Sequence, residues 1–260
     1  MAESTLTISF NELKEKVGHY LGYGPPGSWG DREESEVESY VQTGLRRFYY
    51  PPAVEGVETG YSWSFMTPQT TVSTVADTTT VDLPDDCGSI QGGLYYPEDE
   101  YNDMVNVVSR HQIRKLRSEN DQSGLPQFAA IREKTSDGSD GQRKELVFWP
   151  TPDAVYVLTY QYEAFPSKLS QSNPYALGGM KHSELLEASC ISVAEERAND
   201  ARGVQWDVFI RLLATAIEQD RRNGAETFGQ MKGPEPSDVL TARAYRDLKS
   251  GKITYQDSTW

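Results

Sequence analysis

Apolar residues recur at helical spacing toward both ends of the chain and at alternating spacing between them. Phe10, Leu13, Val17, Tyr20 and Leu21 share one helical face, and Ser9 with Glu12 has the spacing of a capping box, which predicts a helix starting at Ser9. Gly22, Gly24, Pro25, Pro26 and Gly27 end it. A second stripe, Val37, Tyr40, Val41, Leu45 and Phe48, belongs to a helix from Asp31. Glu33, Glu34, Glu36 and Glu38 crowd its first turns, where the helix dipole favours negative charge, and Pro51-Pro52 stops it. A helix with a single apolar stripe needs a partner to bury it.

From Gly60 the period changes to two. Tyr61-Ser62-Trp63-Ser64-Phe65 alternates aromatic with serine, and Thr70 to Val75 and Thr78 to Leu83 are rich in Thr and Val, as strands are. Pro84, Asp85, Asp86 and Gly88 form a turn, and Gly92 to Tyr96 leads to a further strand or edge. A short helix starts at Ser109 with Ile113 and Leu116 inward. Phe128 to Arg132 and Leu146 to Trp149 read as strands around a turn containing Asp137-Gly138 and Asp140-Gly141. Ala154 to Tyr162 is the clearest strand, with large side chains on both faces, which places it centrally or at an interface.

Helical spacing returns at Ser183, with Leu185, Leu186, Ser189, Cys190, Val193 and Ala194 on a face whose small residues suit a close helix neighbour; Gly203 breaks it. Phe209, Ile210, Leu213 and Ile217 mark a fourth long helix from Asp207 to about Arg222, with Trp206 leading in. Gly229, Gly233, Pro234 and Pro236 mark a linker, and Ser237 caps a short helix through Leu248. The expected class is α+β. A helical bundle from 1–58 and 170–228 carries an inserted β-rich domain, 59–169, and 229–260 is a linker with an extended C-terminal tail. In that tail Ile253, Tyr255 and Trp260 stand on a polar background as anchors for a partner's pockets.

Charge narrows the function. The chain has 25 Lys and Arg against 39 Asp and Glu, a net charge of −14, which argues against a protein that wraps nucleic acid on a basic stripe. It fits plain solubility, or a surface that lets DNA slide past. The best basic cluster, Arg114, Lys115 and Arg117, is a contact for nucleic acid or an acidic neighbouring subunit, or a solvated helix face. Cys87 and Cys190 lack zinc spacing and read as free thiols, Cys190 facing a core. His19, His111 and His182 fall in no ligand spacing, and there is no nucleophile elbow or phosphate loop. No catalytic residue, cofactor or metal is expected. No basic start, signal-like run or membrane-length apolar stretch occurs, so a cytosolic, reducing origin is expected.

Several segments together resemble a known family: Tyr61 to Phe65 after the second helix, Val81-Asp82-Leu83-Pro84-Asp85-Asp86, Gly124-Leu125-Pro126, and the longer stretches Gly141 to Ser170 and Asn173 to Glu195. Over roughly residues 8 to 220 the chain resembles the head–tail adaptor (connector, head-completion) proteins of tailed bacteriophages. The resemblance implies a structural protein without a catalytic site. It implies a ring, usually of about twelve copies, beneath the portal protein and above tail or nozzle proteins. Such a ring forms part of the channel through which genomic DNA passes without sequence-specific binding. It also implies that the C-terminal segment, here with Ile253, Tyr255 and Trp260, docks in portal grooves. The protein would be made in the host bacterial cytoplasm and reside in the neck of the virion, away from any membrane. Two alternatives come from other classes. One is a carbohydrate-binding tail or adhesin module stacking sugars on Tyr95, Tyr96 and Trp149. The other is a glycan hydrolase, which needs two carboxylates across a cleft.

Overall fold

The computed structural model describes residues 4–53, 60–97, 104–136 and 141–223, and the backbone of 254–255 and 258–259. The chain divides into two units, Met1–Arg221 and Arg222–Trp260. The first is mixed α+β, with five helices and a seven-stranded sheet among the described residues. The acidic run Glu98-Asp99-Glu100, expected from the sequence as a solvated loop, the turn at 137–140, the 229–236 linker and the Ser237–Leu248 helix lie outside the described residues.

The helix signals act as physics predicts. Helix α1, Phe10–Leu21, starts at a complete capping box, in which Glu12 Oε2 accepts from Ser9 N at 2.7 Å, and it ends on Gly22 in the left-handed region, φ 80°. Helix α2 is Asp31–Tyr49, α3 Arg110–Glu119, α4 Ser183–Asn199 and α5 Val204–Asn223. Apolar residues of α1, α2, α4 and α5 share one cluster, with Leu13, Val37, Val41, Phe48, Cys190, Phe209 and Leu213 buried in it. Lys14 of α1 reaches across to α2, with Nζ 2.7 Å from Glu34 and 2.9 Å from Glu38.

The break after α4 comes earlier than Gly203. Asp200 takes the left-handed conformation, φ 50°. Gly203 serves a different purpose, because a Cβ there would stand 2.6 Å from the Glu195 carboxylate. That carboxylate accepts from the backbone N–H groups of Gly203, Gln205 and Trp206, satisfying donors at the open start of α5. Trp206 therefore lies inside α5, its ring held between the guanidinium groups of Arg202 (4.1 Å) and Arg47 (4.9 Å).

The small residues of α4 do mark a close helix neighbour. A Cβ at Gly44 of α2 would lie 2.6 Å from Cys190 Cα and 2.9 Å from its backbone N. Ser189 Oγ donates to Gly44 O at 2.8 Å in the same contact. Gly44→Ala gains helix propensity, about 1 kcal/mol, yet forces two backbones apart. The expected net loss is about 1–3 kcal/mol, checked by the shift of a urea midpoint at unchanged slope.

The strands are β1 Gln69–Ser73, β2 Thr80–Asp82, β3 Cys87–Tyr95, β4 Met104–Val107, β5 Phe128–Glu133, β6 Lys144–Trp149 and β7 Val157–Ala164. Their order is β1-β7-β3-β4-β5-β6-β2, antiparallel except for the β4–β5 pair. The end strands β1 and β2 are consecutive in the chain, joined by residues 74–79. A flat sheet would hold them about 29 Å apart across six gaps, while the link from Ser73 to Thr80 spans at most about 25 Å. The sheet therefore curls. Its concave face closes over one core, in which Val72, Leu94, Val105, Leu146, Phe148, Leu158 and Tyr160 are buried together. On the convex side α3 covers β5 and β6 through Ile113, packed on Ala130 and Val147.

The turn at Pro84 forms as expected: Cys87 N donates to Pro84 O at 3.0 Å, and Cys87 then opens β3 with its side chain buried. Two expectations need correction here. The clearest strand runs Val157–Ala164, because Ala154 and Tyr156 bond the Thr74 link: Thr74 Oγ1 donates to Ala154 O and accepts from Tyr156 N. It is central, between β1 and β3, but only alternate residues, Leu158, Tyr160, Tyr162 and Ala164, face the core, while Val157 stays 42% exposed. Tyr61 to Phe65 is no strand. Its alternation places Trp63 in the helical cluster, and a 3-10 turn follows at Ser64–Met66.

In the second unit, β8 (Thr254–Tyr255) pairs antiparallel with β9 (Ser258–Thr259).

Candidate interaction site

Two stretches of chain cross between the helices and the sheet, and both are fastened to the C-terminal half of α2. On the outward crossing, Trp63 Nε1 donates to Phe48 O at 2.9 Å. Its ring lies 5.6 Å from Phe48, 5.4 Å from Phe65 and 5.3 Å from His182. Asp220 of α5 locks the same stretch, accepting from Tyr61 Oη (2.7 Å), Ser64 N (2.9 Å) and Ser64 Oγ (2.5 Å). On the return crossing, the Gln42 side chain donates to Leu169 O at 2.7 Å and accepts from Leu169 N at 3.3 Å.

Between α2 and the return crossing lies a groove of about 340 Å³, lined by Arg46, Tyr49, Tyr50, Phe165, Pro166 and Lys168 among others. Tyr50 is 50% and Phe165 47% exposed. Lys144 Nζ lies 5.5 Å from the Phe165 ring centroid and donates to Gly88 O beneath it. Arg46 and Lys168 on the rim have no carboxylate partner among the described residues. The charge of Glu163 reaches Tyr50, whose pKa is raised by burial and by that carboxylate, but Glu163 itself accepts from Ser89 Oγ at 3.1 Å. Such a groove presents aromatic walls and a cationic rim, which suits an acidic peptide carrying an apolar or aromatic residue. Sequence reasoning missed it. The available signal was aromatic residues next to prolines at element ends, Tyr49-Tyr50-Pro51 and Phe165-Pro166.

The residues singled out beforehand lie elsewhere. Ile253 and Trp260 fall outside the described residues, and Tyr255 is described only as backbone in β8, opposite Ser258. Arg114 and Lys115 are exposed on α3, Lys115 at 3.9 Å from Glu119, whereas Arg117 is half-buried and donates to Phe148 O at 2.8 Å. Arg117 thus fastens α3 to β6, and the structure does not present the three cations as one open patch. Tyr95, Tyr96 and Trp149 do not form one stacking platform. Tyr95 is exposed, Tyr96 is buried and donates to Pro126 O, and Trp149 Nε1 donates to Asn120 O.

The buried thiols are poor nucleophiles at neutral pH: burial pushes Cys190 up to about 12 and also raises Cys87. Among the described residues no three His, Cys, Asp or Glu side chains cluster to hold a metal, and no helix is long and apolar enough to cross a membrane.

No curated protein matches the chain. Residues 8–231 match the SU10 adaptor protein family, a span that takes in all five helices up to the end of α5, the whole sheet and both crossings; the chain belongs to that family and is a bacteriophage structural adaptor protein.

Proposed function

We propose that this adaptor sits in the neck of a tailed phage as a ring of about twelve copies. There it joins the portal protein above to tail or nozzle proteins below and lines the DNA exit channel. The family match over residues 8–231 carries this reading. Two properties of the chain support it. Apolar and aromatic side chains stand exposed on the uncovered outer face of the sheet, with Tyr95 54%, Met104 43% and Val157 42% exposed. Tyr95 pairs with both Met104 and Thr159, so these side chains share one patch of the kind a neighbouring subunit covers. The net charge of −14 suits a channel that does not hold passing DNA.

The C-terminal segment with Ile253, Tyr255 and Trp260 docks on the portal in this reading. Deleting residues 253–260 should abolish docking while leaving the circular-dichroism spectrum and melting point unchanged. The check is negative-stain electron microscopy of portal mixed with the full or truncated protein. A truncated protein that still decorates the portal removes the tail from the reading, and a full-length protein that never does removes the reading itself. A channel lined mainly by Lys and Arg would end the charge argument.

A further inference from the structure

We infer that the groove between α2 and the Phe165–Lys168 crossing receives the exposed turn at Pro25-Pro26, together with the acidic start of α2, from a second copy of this chain. The inference deepens the ring reading above and rests on it. Its first support is charge. The groove rim carries Arg46 and Lys168 without carboxylate partners among the described residues. At the other end of α2, residues 31–38 hold five carboxylates against the single cation Arg32. Lys14 pairs with Glu34 and Glu38, while Asp31 and Glu33 have no cationic partner among the described residues. The two ends of one helix thus carry unbalanced charge of opposite sign, and that attracts the start of one copy to the end of another. The second support is shape. Pro25 and Pro26 are exposed, and Pro25 already has the polyproline II conformation, φ −70° and ψ 147°. Such preformed proline segments dock in aromatic-lined grooves. Tyr49, Tyr50 and Phe165 supply the walls. Phe165 is held in place, because its N–H donates to Asp86 O at 2.7 Å and its ring lies 2.7 Å from where a Cβ on Gly88 would stand.

The third support is rigidity. Helix α2 holds Asp31 about 22 Å along its axis from Arg46. The turn before it is tied down and cannot fold back over that distance. Tyr23 N donates to Gly18 O at 3.0 Å, Tyr23 Oη to Glu36 at 3.1 Å and Trp29 Nε1 to Gly24 O at 3.0 Å. The Trp29 ring fills the space that a side chain at Gly18 would need. A chain therefore cannot seat its own turn in its own groove, and a second copy must supply it. Turn and groove are separate surfaces, so each contact leaves one free turn and one free groove. The contact is heterologous and propagates from copy to copy, closing into a ring if the rotation permits.

The test uses the full chain carrying Gly27→Cys on the turn and Ser167→Cys in the groove. It is mixed with portal protein, oxidised with diamide and run on a non-reducing gel. A Cβ at Gly27 meets no atom within 4 Å and Ser167 is exposed, so both thiols fit, while the native Cys87 and Cys190 are buried. A ladder of dimers, trimers and higher multimers is expected, reversed by reductant and at least tenfold weaker with either introduced cysteine alone. No ladder, a ladder that stops at the dimer, a bridge closed within one copy, cross-links to portal alone, or an equal ladder from a single-cysteine variant overturns the inference. Charge gives a second arm. Adding Arg46→Glu and Lys168→Glu should weaken the ladder at least tenfold, as should raising salt from about 50 to 500 mM; an undiminished ladder in both conditions overturns the inference. Rings on portal that form unchanged from the Arg46→Glu, Lys168→Glu protein sink this contact and leave the adaptor reading intact, whereas wild-type protein that forms none sinks the adaptor reading.

Discussion

Replacing Trp63 by alanine is expected to lower the unfolding free energy by about 3–5 kcal/mol. The side chain is fully buried and belongs to the helical cluster although it comes from the crossing to the sheet. Its removal empties the space between Phe48, Phe65 and His182 and leaves Phe48 O without the indole donor. Trp63→Phe keeps most of the ring area and should lose only about 1–2 kcal/mol, which separates packing from the hydrogen bond. Chemical denaturation at constant slope measures both. An alanine variant within about 1 kcal/mol of the wild type would mean that the crossing is held by something else.

Asp220→Ala is expected to lose about 3–4 kcal/mol, because it leaves Ser64 N, Ser64 Oγ and Tyr61 Oη without their charged acceptor. The same junction makes stability sensitive to acid. Burial alone would raise the Asp220 pKa, but the hydrogen bonds from Ser64 and Tyr61, helped by His182, outweigh it and hold the carboxyl below its ordinary range. Burial depresses His182, with Lys181 adding to the effect and Asp220 partly opposing it. Both groups bind a proton more readily in the unfolded chain, so each favours unfolding as pH falls below its unfolded pKa. Stability should be flat above about pH 6.5, fall as His182 titrates, and fall again below about pH 4 as Asp220 does. His182→Gln should remove the first step and keep the second. A wild-type profile that is level from pH 7 to pH 5 would show that His182 is not held neutral.

Much of the fold was legible because its signals are local. Ser9 with Glu12, and Ser109 before α3, set helix starts through side chains that satisfy their own neighbouring N–H groups. The stripes of α1 and α2 and the small face of α4 were readable for the same reason. The misread elements are those that tertiary contacts decide. Tyr61 to Phe65 has strand periodicity but no strand to pair with, and its rings are taken by the helices. Arg117 looked like part of a basic patch until the covering of β6 by α3 turned it toward a backbone carbonyl. The groove was illegible because its two walls, Tyr49-Tyr50 and Phe165-Pro166, are more than a hundred residues apart and meet only once Gln42 has clasped Leu169.

The curl of the sheet bears on how the polypeptide matures during synthesis. Strand β1 has one partner, β7, and Gly44 meets its complement only at Cys190. Neither half of the molecule can consolidate on the ribosome before most of the described chain has emerged, and closing such distant pairs is slow. The surfaces that the proposed ring would use are thus completed late and nearly together, which would keep half-made subunits from joining an assembly.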